Sequence, residues 1–204
     1  MIWLIRHGQS ATNAAGLLVG RSDPELTERG RAQARALAPL LEGVEQVWTS
    51  PLRRARETAR LALPSVRARV VEELIEVDYG DMDGMALSAV SLEQWHAFET
   101  DHRVAFGGGE SLASVDARIH ALLDALLEDA ESLLHRADAH LAVVSHLSPI
   151  KSAVAWALGV PGSVAWRTHL DNGSLSAIAT RRRTPSLVHF TVVPPLGAAP
   201  GSPV

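Results

Sequence analysis

Short apolar runs alternate along this chain with longer stretches in which apolar residues recur every three or four positions. Ile2-Trp3-Leu4-Ile5, Val47-Trp48-Thr49-Ser50, Leu141-Ala142-Val143-Val144, Leu175–Thr180 and Leu187–Val193 have strand length. The run at 141–144 is continuous rather than alternating, as a strand buried on both faces requires. Residues 66–76 carry β-branched pieces at Val66 and Val70-Val71, then Leu74-Ile75-Glu76, and read as one strand plus an extended segment.

Helical spacing fills the gaps. Thr27 can cap a helix to about Leu41, with Ala34, Leu37, Ala38 and Leu41 on one side. Pro51 suits the first turn of a helix over 51–62, and Pro149 that of a helix over 149–158 closed by Gly159. Ser91 can cap a helix to about Thr100. Ser111 opens the longest one, whose stripe runs from Leu112 and Val115 through Ile119, Leu122, Leu123, Leu126 and Leu127 to Leu133 and Leu134. Residues 10–26, the turn-rich 78–85 and Gly107–Gly109 are breaks. Arg181–Arg183 joins the last two strands as a solvated turn, and the tail from Pro194 is rich in Pro, Gly and Ala, so a flexible tail is expected over 194–204. Strand and helix alternate without repeat or linker, which argues an α/β layered sheet in a single domain over 1–193.

Composition narrows the function. At 204 residues with 47% apolar and 21% charged content, the chain can bury a substantial core. A net charge of −4 gives no global bias toward nucleic acid or an anionic membrane, so any phosphate site must be a local concentration of positive charge. The absence of cysteine removes disulfides, thiolate catalysis and Cys-ligated metal. No run approaches bilayer-spanning length, and the first strand begins without a basic and apolar leader, so the expectation is a cytoplasmic protein.

Two apolar runs end alike, in Ile5-Arg6-His7-Gly8 and in Val144-Ser145-His146-Leu147. If these strands are parallel neighbours, both histidines face one crevice at the strand ends, where α/β proteins place their ligands. The second run leads into a helix N-terminus, which favours an anion. A third strand end enters the arginine-rich Ser50-Pro51-Leu52-Arg53-Arg54-Ala55-Arg56-Glu57-Thr58-Ala59. Histidines, arginines and helix N-termini together make an oxyanion site, and phosphoryl transfer suits it. A neutral histidine can attack phosphorus, arginines can neutralise the equatorial oxygens, and a nearby carboxylic acid can protonate the leaving alkoxide.

In this order the motifs resemble those of the histidine phosphatase superfamily, also called phosphoglycerate-mutase-like. The matching stretches are Leu-Ile-Arg-His-Gly-Gln-Ser at 4–10, Leu26-Thr27-Glu28-Arg29-Gly30, the 50–59 stretch, Leu-Ile-Glu at 74–76 with Tyr-Gly-Asp-Met-Asp-Gly, Gly-Gly-Glu-Ser at 108–111, and Val-Ser-His at 144–146. The resemblance implies a three-layer α/β/α sandwich with a central, mostly parallel sheet and a small lid around 85–109. It implies His7 as nucleophile, Glu76 as proton donor and His146 as a third catalytic residue that completes the phosphate pocket. Arg6, Asn13 and Arg54 would bind phosphate, with Glu110 and Ser111 near the substrate. Arg54 is preferred to Arg53 because the family arginine precedes the alanine. Glu72, Glu73, Asp78 and Asp81 are the alternatives to Glu76, and Gln9 is assigned no role. No cofactor and no metal are implied, and short members of the family often form homodimers.

One departure stands out. Many members continue the second histidine motif with two glycines, whereas this chain has His146-Leu147-Ser148-Pro149. The Leu147 N–H could still donate to phosphate, while its side chain would narrow the pocket mouth. A His-Asp motif at this point, typical of acid phosphatases and phytases, is absent.

The remaining histidines show no metal-like spacing, and Asp78, Asp81 and Asp83 with Gly84 lack the closing Glu of a calcium loop. Three readings follow: a metal-independent phosphomonoester hydrolase acting on a small-molecule phosphate ester, a phosphoglycerate mutase using the same phosphohistidine, and an inactive binding module. The full set of His7, Arg6, Arg54, Glu76 and His146 counts against the third. The mutases it resembles tend to be longer, with segments that shield the phosphoenzyme from water, and this favours the hydrolase.

Overall fold

A computed structural model describes residues 1–129, 139–180 and 184–196. Six strands form one sheet: β1 (Ile2–Arg6), β2 (Gln46–Thr49), β3 (Ala68–Val70), β4 (Leu141–Ser145), β5 (Leu175–Ala179) and β6 (Ser186–Val192). Their order across the sheet is β3-β2-β4-β1-β5-β6. The first four are mutually parallel, and β5 runs antiparallel to both of its neighbours. Among the described residues, seven α-helices accompany them: α1 (Ala11–Ala14), α2 (Glu28–Ala36), α3 (Arg53–Ala62), α4 (Leu92–Thr100), α5 (Leu112–Glu128), α6 (Leu147–Leu158) and α7 (Gly162–Ala165).

The alternation of side chains on the central strands builds two apolar layers. Ile2 and Leu4 of β1 and Leu141 and Val143 of β4 pack with Ile119 and Leu123 of α5 and Ile150 and Val154 of α6. On the other face, Ile5, Ala142 and Val144 meet Leu37, Leu41, Ala55 and Ala59, which α2, its following turn and α3 supply. Both faces being covered is why the β4 run is apolar throughout. The result is the three-layer α/β/α arrangement, with β5 breaking the parallel pattern.

Several boundaries differ from the sequence expectation, each for a local reason. The helix expected over 27–41 stops at Ala36 and continues as a 3₁₀ turn over Ala38–Leu41, because Pro39 has no N–H for the α-helical ladder. Pro51 lies outside α3. Leu52 occupies the cap position, its N–H donates to Ser50 Oγ at 3.3 Å, and the Arg53 N–H donates to Asp23 Oδ1 at 2.7 Å. α6 begins at Leu147 with His146 at its cap, so Pro149 falls inside the first turn, where its missing N–H costs nothing. Of the strand and extended segment expected over 66–76, the strand is Ala68–Val70, and a 3₁₀ turn at Glu72–Leu74 stands at the start of the rest. Ser91 and Ser111 cap their helices as expected. The end of the long stripe at Leu133 and Leu134, the Arg181–Arg183 turn and the tail from residue 197 lie outside the described residues.

Candidate active site

β1 and β4 are adjacent and parallel, with Arg6 opposite Ser145, so the residues that follow, His7 and His146, leave the sheet side by side. Their rings are 5.0 Å apart at 62°, an edge-to-face pair. Both are buried, as are Arg54 and Glu76. Arg6 joins them from the end of β1, donating to the Leu170 carbonyl.

Gly8 is required by proximity. A Cβ there would lie 2.2 Å from the Gly30 carbonyl oxygen, and one on Gly30 would lie 2.1 Å from that of Gln9. The start of α2 thus presses directly on the backbone after His7, which gives the 26–30 motif a structural purpose. The Gly8 N–H donates to Thr58 Oγ1 at 3.1 Å, and that hydroxyl donates to the Arg54 carbonyl at 2.7 Å, tying the His7 loop to α3.

The hydrogen-bond pattern assigns the tautomer of His7. Its Nδ1 lies 2.7 Å from the Gly8 carbonyl, an acceptor, so Nδ1 carries the proton. Nε2 accepts from Arg54 Nε at 3.2 Å and therefore keeps its lone pair in the site. Burial, then the charges of Arg54 and Arg6, hold the imidazole well below its ordinary pKa range, so it is neutral at physiological pH. His146 is held down in the same way, by burial and then by Arg54, His7 and Arg6. Its Nε2 lies 2.7 Å from Ser50 Oγ, while its Nδ1 is buried with no hydrogen-bond partner, as is Arg6 Nε. The unmatched Arg6 Nε–H costs about 1–3 kcal/mol, which an oxyanion acceptor would offset.

Arg54 is clamped. Its Nη1 donates to the Ser22 carbonyl at 2.6 Å and its Nη2 to the Gly20 carbonyl at 2.7 Å. Glu76 is held differently. Its Oε1 accepts from the N–H of Val77 at 2.9 Å and of Ser148 at 3.2 Å, and its Oε2 from the N–H of Leu147 at 3.1 Å. The carboxyl group therefore sits on the N-terminus of α6, engaged by its first free N–H groups. Ser145 Oγ donates to the Leu74 carbonyl at 2.7 Å and fixes the segment that carries Glu76.

The other candidates sit at different depths. The Leu147 N–H, expected to face phosphate, is engaged by Glu76, and the Leu147 side chain packs on the larger apolar layer. Asn13 forms a capping box with Ser10, and its Oδ1 also accepts from Asn172 Nδ2 at 3.3 Å. Glu110 pairs with Arg118, Nε to Oε1 at 2.9 Å, and with Arg21, Nη2 to Oε2 at 3.2 Å. The Ser111 hydroxyl is the cap of α5, accepting from the Ser114 N–H at 3.2 Å. Among the described residues, no group of three or more His, Asp or Glu is placed to hold a metal ion.

Sequence reasoning missed Asn172, Leu170 and the role of Ser50. Asn172 Nδ2 donates to the His7 carbonyl at 3.3 Å, and the Gly173 N–H reaches the Arg6 and His7 carbonyls at 3.1 and 3.0 Å. These residues precede β5, and only its antiparallel sense brings them to the strand ends. The Asp171-Asn172-Gly173 turn was visible in the sequence, but the direction of the strand after it was not.

Buried, neutral imidazoles stand beside two guanidiniums at the ends of parallel strands, an arrangement whose chemistry suits an oxyanion. The chain belongs to the histidine phosphatase superfamily (branch 1), whose sequence profile matches residues 2–193. It is 34% identical over 202 residues to phosphoserine phosphatase 1 of Hydrogenobacter thermophilus, covering 95% of this chain and 93% of that one. The crystal structure of the alpha-ribazole phosphatase from Shigella flexneri superposes with a TM-score of 0.79 at 29% identity, covering 94% of this chain and 96% of the other. A 2,3-bisphosphoglycerate-dependent phosphoglycerate mutase of Methylobacterium radiotolerans is 38% identical over 135 residues, 58% of this chain and 62% of that protein.

Proposed function

We propose that this protein is a metal-independent phosphatase that hydrolyses small phosphate monoesters through a phosphohistidine on His7. The carrying observation is the state of His7: buried, neutral, protonated on Nδ1 and presenting Nε2 beside Arg54. Nε2 attacks phosphorus and the P–O bond to the alcohol breaks. Glu76, entering as the carboxylic acid, gives its proton to the leaving oxygen. The Glu76 carboxylate then takes a proton from water, which attacks phosphorus, and the P–N bond breaks to release inorganic phosphate and neutral His7. Arg6, Arg54 and His146 Nδ1–H stabilise the phosphoryl oxygens, doing the neutralising work that a metal ion performs elsewhere.

The Leu147 N–H orients Glu76. Asn13 acts beside His7 through Asn172, and Glu110 borders the pocket through its pairs with Arg21 and Arg118. The hydrolase is favoured over the mutase because the two named phosphatases align over nearly their whole length, while the mutase matches a little over half of this chain. Residues 85–109 are read as a cover over the pocket. They carry α4 and are zipped to residues 16–18 by the Leu18 N–H to the Met85 carbonyl at 2.7 Å and the Leu87 N–H to the Gly16 carbonyl at 2.9 Å.

The test is phosphate release from an aryl phosphate. His7→Ala is expected to abolish it, and a chelator to leave the wild type unchanged. Full activity in the variant, or loss on chelation, would sink the reading.

A further inference from the structure

Arg54 is a fully buried cation that makes no ion pair among the described residues. Its guanidinium is held by two carbonyls, those of Gly20 and Ser22, and by His7 Nε2. Carbonyl dipoles orient a guanidinium without neutralising it, and Glu76, Asp23 and Asp83 act on its charge without pairing with it. The aim of that charge then depends on what fixes the turn over residues 20–22.

Asp83 fixes it. Its Oδ1 accepts from the Gly20 N–H at 3.0 Å and from Ser22 Oγ at 2.9 Å, and its Oδ2 accepts from the Ser22 N–H at 2.7 Å. The two residues whose carbonyls clamp Arg54 are the same two whose N–H groups Asp83 clamps. Gly20 is also packed closely, since a Cβ on it would stand 3.0 Å from the Val77 carbonyl oxygen. Partial burial works against the charged form of Asp83. The Gly20 and Ser22 N–H groups, the Ser22 hydroxyl and then the charge of Arg54 outweigh it and hold the carboxyl below the usual carboxylate range. Asp83 itself is anchored, because the next residue, Gly84, donates its N–H to the Leu18 carbonyl at 2.9 Å. This accounts for the last acid of the Tyr-Gly-Asp-Met-Asp-Gly motif, which the catalytic reading leaves without a part.

We propose that Asp83 is a positioning residue for Arg54: it sets the Gly20–Ser22 turn whose two carbonyls aim the guanidinium at His7 Nε2 and the phosphoryl group. It touches neither substrate nor His7. The proposal rests on the phosphohistidine reading for its kinetic consequence, but not for its structural one. It also separates Asp83 from Asp78, which meets Arg21 Nη1 at 3.5 Å on the outside of the same turn and contacts nothing that holds Arg54.

The experiment is a double-mutant cycle. Asp83→Asn keeps the size of the side chain but sets an amide N–H₂ against an N–H donor in either orientation. It is expected to lower kcat for an aryl phosphate by about 10- to 100-fold, the scale on which a misplaced group costs rate. KM should move far less, and Tm should stay within a few degrees. In an Arg54→Ala background, the same substitution should change the residual rate by less than about twofold, because its effect runs through Arg54. Equal losses in both backgrounds, or no loss in the wild-type background, overturn the proposal.

A second readout needs no turnover. The Arg54 Nε–H resonance, assigned by its disappearance in Arg54→Lys, should be sharp and protected in the wild type and shifted or broadened in Asp83→Asn. An unchanged resonance overturns the proposal. A changed one on a protein that hydrolyses no ester supports it while the phosphatase reading fails. Should Asp83→Asn not fold, Ser22→Ala removes one of the three bonds and is expected to lower kcat by about two- to fivefold by the same route, with no change contradicting it.

Discussion

His7 and His146 are kept neutral by burial and by two neighbouring guanidiniums, and this has a consequence for stability as well as for catalysis. Their folded pKa values lie below the unfolded value of about 6.5. Below that pH the unfolded chain takes up protons that the folded site refuses. The stability they contribute is therefore complete above about pH 6.5 and falls as the pH drops toward their folded values, by up to about 1.4 kcal/mol per pH unit for each histidine. Chemical denaturation between pH 7 and pH 5 should show a steeper loss for the wild type than for His146→Asn, and equal slopes would contradict the burial argument. Glu76 makes a different prediction. If it protonates the leaving group, Glu76→Gln should slow an alkyl phosphate by about 10²–10⁴-fold and an aryl phosphate with a good leaving group much less. Comparing the two esters on one variant checks this. At this scale the sequence was informative about the histidines and arginines, because their identity and order carry the chemistry. It was silent on Asn172, Ser50 and Asp83, whose parts depend on what lies across from them.

Helix ends do much of the placing. The N-terminus of α6 receives Glu76, and the turn before α3 brings Ser50 under His146. The expected helices were legible wherever a capping residue stood before a periodic run, as at Thr27, Ser91 and Ser111. Proline marks the starts less sharply: Pro149 lies in the first turn of α6 but not at its start, and Pro51 precedes α3. Pro39, inside the expected 27–41 helix, ends α2 early. Ser111 offers a test of cap against substrate contact. Its hydroxyl accepts from the Ser114 N–H, so Ser111→Ala should cost about 0.5–2 kcal/mol of stability in a denaturation experiment and leave kcat/KM nearly unchanged. A large rise in KM with unchanged stability would place Ser111 at the substrate instead.

On the scale of the molecule, the parallel core β3-β2-β4-β1 was readable from the alternation of strands and helices, because parallel strands need crossovers. The reversal at β5 was not, since an apolar run has no direction in sequence. That reversal matters, as it carries residues 170–173 to the site, where Leu170 holds Arg6 and Asn172 reaches the His7 carbonyl. The choice between hydrolase and mutase also belongs here, because it depends on how well the phosphoenzyme is shielded from water. Incubation with 3-phosphoglycerate and 2,3-bisphosphoglycerate should yield free phosphate, and net 2-phosphoglycerate with little phosphate would reverse the assignment.

The central claim is that phosphate passes through His7. It is tested most directly by mixing the enzyme with a radiolabelled phosphate ester, quenching in alkali within one turnover, and mapping the label by proteolysis. An acid-labile, alkali-stable phosphohistidine is expected on the peptide that carries His7, absent in His7→Ala. Label on another residue, or hydrolysis at the full rate with no label on His7, would contradict it.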